Sequence, residues 1–157
     1  MSDHKKFMKE AIKLASQNAT DNQGGPFGAI VVKDGEIVGR GVNKVTSSND
    51  PTAHAEVVAI RDAAKNLDTF NLEGCEIYSS CEPCPMCLGA IYWARPRKLY
   101  FAASRDDAAK AGFDDAEIYN EIELPFKNRK LPTEQFSQSD AVELFKTWVN
   151  IESKIEY

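Results

Sequence analysis

The sequence contains 157 residues, which corresponds to one domain of ordinary size. Hydrophobic residues make up 43% and charged residues 27%, close to the globular average, which excludes disordered and fibrous proteins. The 24 acidic and 19 basic side chains leave a net charge of −5, which disfavours a protein whose main task is to bind phosphates. No apolar stretch approaches the length of a membrane helix, and the polar N-terminus, Met1 to Lys6, is unlike a signal peptide. We therefore expect a cytoplasmic protein.

Hydrophobic periodicity and turn residues predict alternating helices and strands. We expect helices over residues 7–19, 53–67, 85–95, 105–111, near 115–121 and over 140–154, and strands over residues 27–33, 36–43, 75–80 and 98–103. Asp34-Gly35 favours a type I′ hairpin turn, and the polar segment 46–52 predicts a loop. The strand at 98–103 is apolar, so we expect it to be buried on most sides. The order predicts an α/β domain spanning 1–157, with a partly parallel sheet and helices on both faces.

All four cysteines lie within the thirteen positions from Cys75 to Cys87, which is unlike a disulfide framework. Cys84 and Cys87 form a C-x-x-C motif at a predicted helix start, where thiolates are stabilised. With His54 they would fill three of four tetrahedral positions on zinc and leave the fourth open for water, as in catalytic sites. The other histidine, His4, lies in a segment that we expect to be loose. Cys75 and the remaining Cys81 are expected to be buried.

Glu56 lies two positions after His54, which corresponds to about 200° around a regular helix. The two side chains can therefore point the same way only where the chain is entering the helix. Asp50-Pro51 or Thr52 supplies a capping signal at that point. Glu56 could then lie beside the metal without binding it, in the position of a proton-transfer group.

Other uses of these cysteines stay open at this point. A C-x-x-C motif can form a redox pair, although thioredoxin-like motifs occur in a different context. The spacing of Cys81, Cys84 and Cys87 is similar to an iron–sulfur motif, but the fourth cysteine is missing. A zinc-binding module without catalytic activity is a further alternative, against which the open fourth position and Glu56 argue.

H-A-E at 54–56 together with P-C-x-x-C at 83–87 is the combination found in zinc nucleobase deaminases. The sequence resembles the cytidine-deaminase-like superfamily over nearly its whole length, also through G-G-P-F-G-A-I at 24–30 and the segment 80–95. Within that superfamily it resembles the bacterial guanine deaminases most, through A-G-F-D-D at 111–115 and the terminal Tyr157. The tRNA adenosine deaminases share the other motifs and are the main alternative.

The resemblance implies a three-layer α-β-α fold with a central mixed sheet of five strands. It also implies one zinc ion per chain, with His54, Cys84 and Cys87 as ligands and Glu56 as the proton shuttle. The expected reaction is the hydrolytic deamination of guanine to xanthine and ammonia. The expected partners are therefore a purine base and no membrane, with nucleic acid disfavoured.

The resemblance also implies a set of substrate contacts. Asn43 and the backbone around Ala55 would hydrogen-bond the base, and Phe27 and Trp93 would form the pocket walls. Asp115 would recognise the guanine edge and share in proton transfer. Tyr157 would reach the substrate from the C-terminal tail, about residues 140–157, which in this subfamily is exchanged between the two subunits of a homodimer.

Overall fold

The computed structural model describes residues 3–157, so Met1 and Ser2 of the polar N-terminal segment lie outside the description. The chain divides into two units after Asp115. The elements of the first unit are α1 (Asp3–Thr20), β1 (Gly28–Lys33), β2 (Glu36–Val42), α2 (Val45–Ser48), α3 (Ala55–Leu67), β3 (Glu76–Cys81), α4 (Pro85–Ala94), β4 (Lys98–Ala103) and α5 (Arg105–Lys110). The elements of the second unit are α6 (Ala116–Glu123), a 3-10 helix (Phe126–Asn128) and α7 (Gln138–Val149).

The strands of the first unit form one mixed sheet in the order β2-β1-β3-β4. β1 pairs antiparallel with both β2 and β3, whereas β3 and β4 are parallel. The predicted hairpin turn is confirmed, because Asp34 and Gly35 both have positive φ angles, 50° and 82°. The mixed sheet is also confirmed, but the expectation of five strands was wrong, since residues 3–157 contain four. Ser104 and Asp107 form a capping box that turns the chain into α5 directly after β4.

Helices cover both faces of this sheet, as the element order predicts. One face packs Ile30 and Val32 against α1, through Phe7 and Ala11. The opposite face includes Val31 and packs against α3. Alternation along β1 thus divides its side chains between two apolar clusters, one on each side of the sheet.

The α3 helix lies unusually close to β2 because small residues line both surfaces. Ala55 and Ala59 are fully buried on the inner face of the helix. A Cβ atom on Gly41 of β2 would lie 2.0 Å from the Ala55 carbonyl oxygen and 2.4 Å from the Ala59 nitrogen. Only glycine fits at this position, and the close contact fixes the N-terminal end of α3 relative to the sheet.

The expectations of a buried β4 and of a loose segment around His4 were wrong. β4 is an edge strand within the described residues, and its Phe101 is 47% exposed, because no fifth strand covers it. His4 is not in a loose segment but in the first turn of α1, with its Nδ1 2.7 Å from the Tyr78 hydroxyl. That hydroxyl also donates to Glu76 of the same strand at 2.8 Å, and its contact with His4 ties α1 to β3.

Local hydrogen bonds explain the remaining differences in element bounds. The predicted loop at 46–52 contains α2, whose first N–H group, on Val45, is bonded by the Asn43 side chain at 3.3 Å. The final helix ends at Val149 rather than near residue 154, and Lys154 donates to the carbonyl oxygen of Val149 at the helix end and to that of Ile151 beyond it. Across residues 3–157, no helix has the length and apolar character needed to span a bilayer.

Candidate active site

Two helix N-termini bring the predicted metal ligands together. α3 begins at Ala55 and α4 at Pro85, so His54 and Cys84 directly precede the two helices in extended conformations. Neither side chain forms a capping hydrogen bond with its own helix. Glu56 lies in the first turn of α3, which confirms that the His54-x-Glu56 motif occurs where the chain enters a helix.

The predicted capping signal for this helix was wrong. The Asp50 carboxylate accepts hydrogen bonds from the backbone N–H and the hydroxyl of Thr52, at 2.8 and 2.6 Å. The Asp50 carbonyl accepts from the N–H of Ala53 at 3.1 Å. Asp50 therefore stabilises a local turn before the helix, and His54 itself occupies the N-cap position.

The three predicted ligand atoms have the spacing of a tetrahedral zinc site. Nδ1 of His54 lies 3.5 Å from Sγ of Cys84 and 3.5 Å from Sγ of Cys87. All three ligand atoms lie within 4.8 Å of one another. Tetrahedral zinc with ordinary bond lengths would hold a nitrogen and a sulfur about 3.6 Å apart. The donor set and its spacing therefore fit zinc with one position left open.

The two thiols of this cluster favour different protonation states in the protein alone. Hydrogen bonding to Cys87 and to His54 holds the pKa of Cys84 well below its ordinary value. The hydrogen bond to Cys84, together with burial, raises the pKa of Cys87. The hydrogen bond to Cys84 also raises the pKa of His54. This protonation pattern leaves Cys84 as a thiolate, which is the form that binds a metal.

Glu56 is a buried carboxylate beside the ligand cluster. Its side chain is only 6% exposed, and burial raises its pKa above the ordinary value for glutamate. The Ser79 hydroxyl donates to its Oε1 atom at 3.2 Å. A raised pKa makes the carboxylate a stronger base, which suits acid–base catalysis.

Asn43 is fixed through both its side chain and its backbone. Its Oδ1 atom accepts from the Val45 N–H, and this contact distinguishes the oxygen end of the amide from the nitrogen end. Its backbone carbonyl accepts from the Asn18 side chain at 2.9 Å. Asn18 donates also to the carbonyl of Gly25 at 2.9 Å, so one buried amide joins both segments to α1.

Two aromatic rings and an acidic side chain belong to the same unit. Phe27 contacts Phe113 edge to face, with the ring centroids 4.8 Å apart. Asp115 is half-buried, and its pKa is raised by burial and then by the negative charge of Cys84.

The other predicted residues have different surroundings. Ala55 is fully buried at the first position of α3, where its N–H has no partner within the helix. Trp93 lies in the last turn of α4 with 67% of its surface exposed, whereas Cys87 and Ile91 of that helix are buried. Tyr157 belongs to the second unit and is 72% exposed.

Two site-supporting residues are absent from the sequence-based predictions. Ser79 is a polar residue on the face of β3 that also carries Ile77 and Cys81, and Asn18 is buried near the end of α1. The sequence signal for Ser79 is its position on the inward face of a strand, where an apolar residue is expected. Asn18 carried no comparable signal, because polar residues are common at helix ends.

The sequence matches a known family over most of its length. Residues 1–103 match the model described as the cytidine and deoxycytidylate deaminase zinc-binding region. The chain belongs to this family of zinc-dependent deaminases. Zinc is therefore the metal of this deaminase, and His54, Cys84 and Cys87 form its candidate site.

Among individual proteins, this deaminase is similar to the guanine deaminase of Bacillus subtilis, with 52% identity over 99% of each chain. The solved structure of that enzyme has a TM-score of 0.95 and covers 98% of both chains. The tRNA-specific adenosine deaminase of Aquifex aeolicus is 38% identical over 88% of each chain. A solved structure of a protein in complex with 8-azaguanine is 36% identical, with a TM-score of 0.67 over 69% of this chain and 63% of that chain.

Proposed function

We propose that this deaminase converts guanine and water to xanthine and ammonia. The observation that carries the proposal is the 52% identity to a guanine deaminase, which extends over 99% of both chains. The match to a tRNA-specific adenosine deaminase is weaker, at 38% identity over 88% of each chain. The net charge of −5 also gives less support to an RNA substrate.

In this proposal one zinc ion per chain binds to His54, Cys84 and Cys87. When bound, the metal supplies Lewis-acid polarisation that lowers the pKa of a water molecule to about 7. Its charge is balanced by two thiolates and one neutral imidazole, which leaves the fourth position to water or substrate.

Glu56 moves the protons of the reaction. It accepts a proton from the attacking water as the water oxygen bonds to C2 of guanine, and it donates that proton to the ring nitrogen beside C2. Glu56 then takes the proton of the new hydroxyl group on C2 and passes it to the amino group. The C2–N bond breaks, ammonia leaves, and the oxygen on C2 becomes the carbonyl oxygen of xanthine. An amine leaves poorly unless it is protonated, so the same carboxyl group must act first as a base and then as an acid.

The substrate contacts in this proposal follow from the donors and rings described above. The Asn43 amide nitrogen and the Ala55 backbone N–H donate hydrogen bonds to the base. Phe27 forms one wall of the pocket, supported by its edge-to-face contact with Phe113. The exposed ring of Trp93 would form a further wall.

Asp115 would select guanine by its pattern of hydrogen-bond donors. The N1–H group and the amino group of guanine form a donor edge, which an ionised carboxylate can accept with both oxygens. Adenine and cytosine present a different order of donors and acceptors at the corresponding edge. We propose a supporting part in proton transfer for the same carboxyl group.

We further propose a homodimer in which the C-terminal tail, about residues 140–157, is exchanged and brings Tyr157 to the partner's substrate. Support comes from the apolar side chains that the second unit exposes: Leu144 is 71% and Phe145 70% exposed. A second copy that covers these residues would remove a large apolar surface from water. The whole chain, 1–157, would then act as one catalytic domain in the cytoplasm.

A substrate panel tests the proposed function. Zinc-loaded protein is incubated separately with guanine, adenine, cytosine and a tRNA anticodon stem-loop that contains adenosine, and ammonia and the deaminated products are quantified. We expect xanthine and ammonia in equal amounts from guanine, with a kcat/KM at least 100-fold higher than for the other substrates. Inosine formation in the RNA with no xanthine from guanine would contradict the proposal and favour the tRNA alternative.

A further inference from the structure

Ser79 is a hydroxyl group on a face of β3 that is otherwise apolar. Side chains alternate along this strand, and Ile77 belongs to the apolar cluster under α3, whereas Tyr78 belongs to the cluster under α1. Ser79 therefore points to the α3 side, and it is only 2% exposed. A buried hydroxyl without a partner is costly, so its partner indicates its role.

That partner is the carboxylate of Glu56. The Ser79 hydroxyl donates to Oε1 of Glu56 at 3.2 Å. The hydrogen bond joins β3 to the first turn of α3. The backbone of Ser79 is fixed from both sides, since it pairs with Ala29 of β1 and Phe101 of β4. The donor therefore lies on a central strand that is paired on both sides.

We propose that Ser79 is a positioning residue that holds Oε1 of Glu56 and thereby directs Oε2 toward the water and the base. This inference rests on the proposed function, because it assigns Ser79 a part in the proton transfers of Glu56. A carboxylate that shuttles two protons must keep one oxygen in line with successive acceptors, and free rotation would lower the fraction of productive arrangements. Ser79 does not itself contact the substrate.

Two variants of equal shape isolate the hydroxyl. Ser79→Thr keeps the donor and Ser79→Val replaces it with a methyl group of similar volume, and both residues favour strands. We expect Ser79→Val to lower kcat for guanine about 10- to 100-fold, as for loss of a hydrogen bond to a charged group. We expect the KM and the zinc content of Ser79→Val to equal those of the wild type. We expect the kcat of Ser79→Thr to lie within about fivefold of the wild type.

Ser80→Ala is the matched control from the same strand. Ser80 lies on the opposite face, where its hydroxyl accepts from the Gly28 N–H at 3.0 Å. Its loss should reduce thermal stability but leave kcat within about threefold. Equal kcat in the Thr and Val variants of Ser79, or an equal loss in Ser80→Ala, would overturn the proposal. If the branched side chains prevent folding, Ser79→Ala replaces them, and a kcat equal to that of the wild type would overturn it.

A structural readout separates this inference from the proposed function. Crystal structures of the zinc-bound variants should show one Glu56 conformation in Ser79→Thr and a displaced or multiply occupied carboxylate in Ser79→Val. If the wild type does not deaminate guanine, the proposed function fails, and these structures still test the positioning role. One identical Glu56 conformation in both variants would overturn it.

Discussion

Glu56→Gln separates proton transfer from metal binding, because the amide keeps the shape of the side chain and loses the titratable group. Glu56 is not among the three clustered metal ligands, and its Oε1 bond to Ser79 can be replaced by a bond to the amide. A general acid–base group contributes about 10²- to 10⁴-fold to a rate. A residue used twice should lie at the upper end, so we expect kcat to fall about 10⁴-fold, or about 5.4 kcal/mol.

The assay is xanthine formation by protein with a measured zinc content. We expect one zinc per chain in both proteins and the same KM within about threefold, with the loss confined to kcat. Activity within tenfold of the wild type would refute the assignment of proton transfer to Glu56. Loss of zinc together with activity would instead place Glu56 among the ligands.

Zinc-free protein gives a second test of the same substitution. Burial raises the pKa of Glu56 above 4.5, so the native state holds a proton that the unfolded state releases first. The free energy of unfolding therefore falls as pH rises from about 4.5 through the higher, native pKa. Glu56→Gln removes this dependence, and we expect the zinc-free variant to be more stable than the wild type at pH 7 and similar at pH 4. Urea unfolding at both pH values measures the difference, and a wild type that is more stable at pH 7 would contradict the sign.

Four further substitutions, one of them a control, test other parts of the account. Cys84→Ala should lose zinc in metal analysis. Cys75→Ala is the control, because it removes a buried thiol outside the ligand cluster, and it should retain one zinc per chain. Equal loss of zinc in both variants would show that the ligand set is wrong. Gly41→Ala should lower the free energy of unfolding by about 3 kcal/mol, because its Cβ would lie 2.0 Å from a carbonyl oxygen of α3. Urea unfolding measures this change, and an unchanged midpoint would contradict the close packing. Asp115→Ala should raise KM or lower kcat for guanine with zinc retained, and normal kinetics would remove it from base recognition.

The candidate site was more predictable than the sheet that carries it. His54-x-Glu56 and Cys84-x-x-Cys87 are short patterns in which local helix geometry and metal chemistry restrict the answer to a few arrangements. The hairpin at Asp34-Gly35 was predictable for the same reason, since only a few residues accept two successive positive φ angles.

The errors lie where distant segments decide the outcome. β4 has the composition of a buried strand, but its exposure depends on whether another strand pairs with its outer edge, which no local pattern reports. The role of His4 depends on the Tyr78 hydroxyl, 74 positions away in sequence. Ser79 was recognised as part of a strand, yet its contact with Glu56 requires the helix and the strand to be placed together.

Stepwise zinc reconstitution tests the central claim most directly. Metal-free protein is titrated with zinc, and xanthine formation from guanine is measured together with bound metal at each step. We predict that activity is absent without zinc, rises in proportion to bound zinc and reaches its maximum at one zinc per chain. Guanine deamination by the metal-free protein, or full zinc occupancy without xanthine formation, would contradict the account.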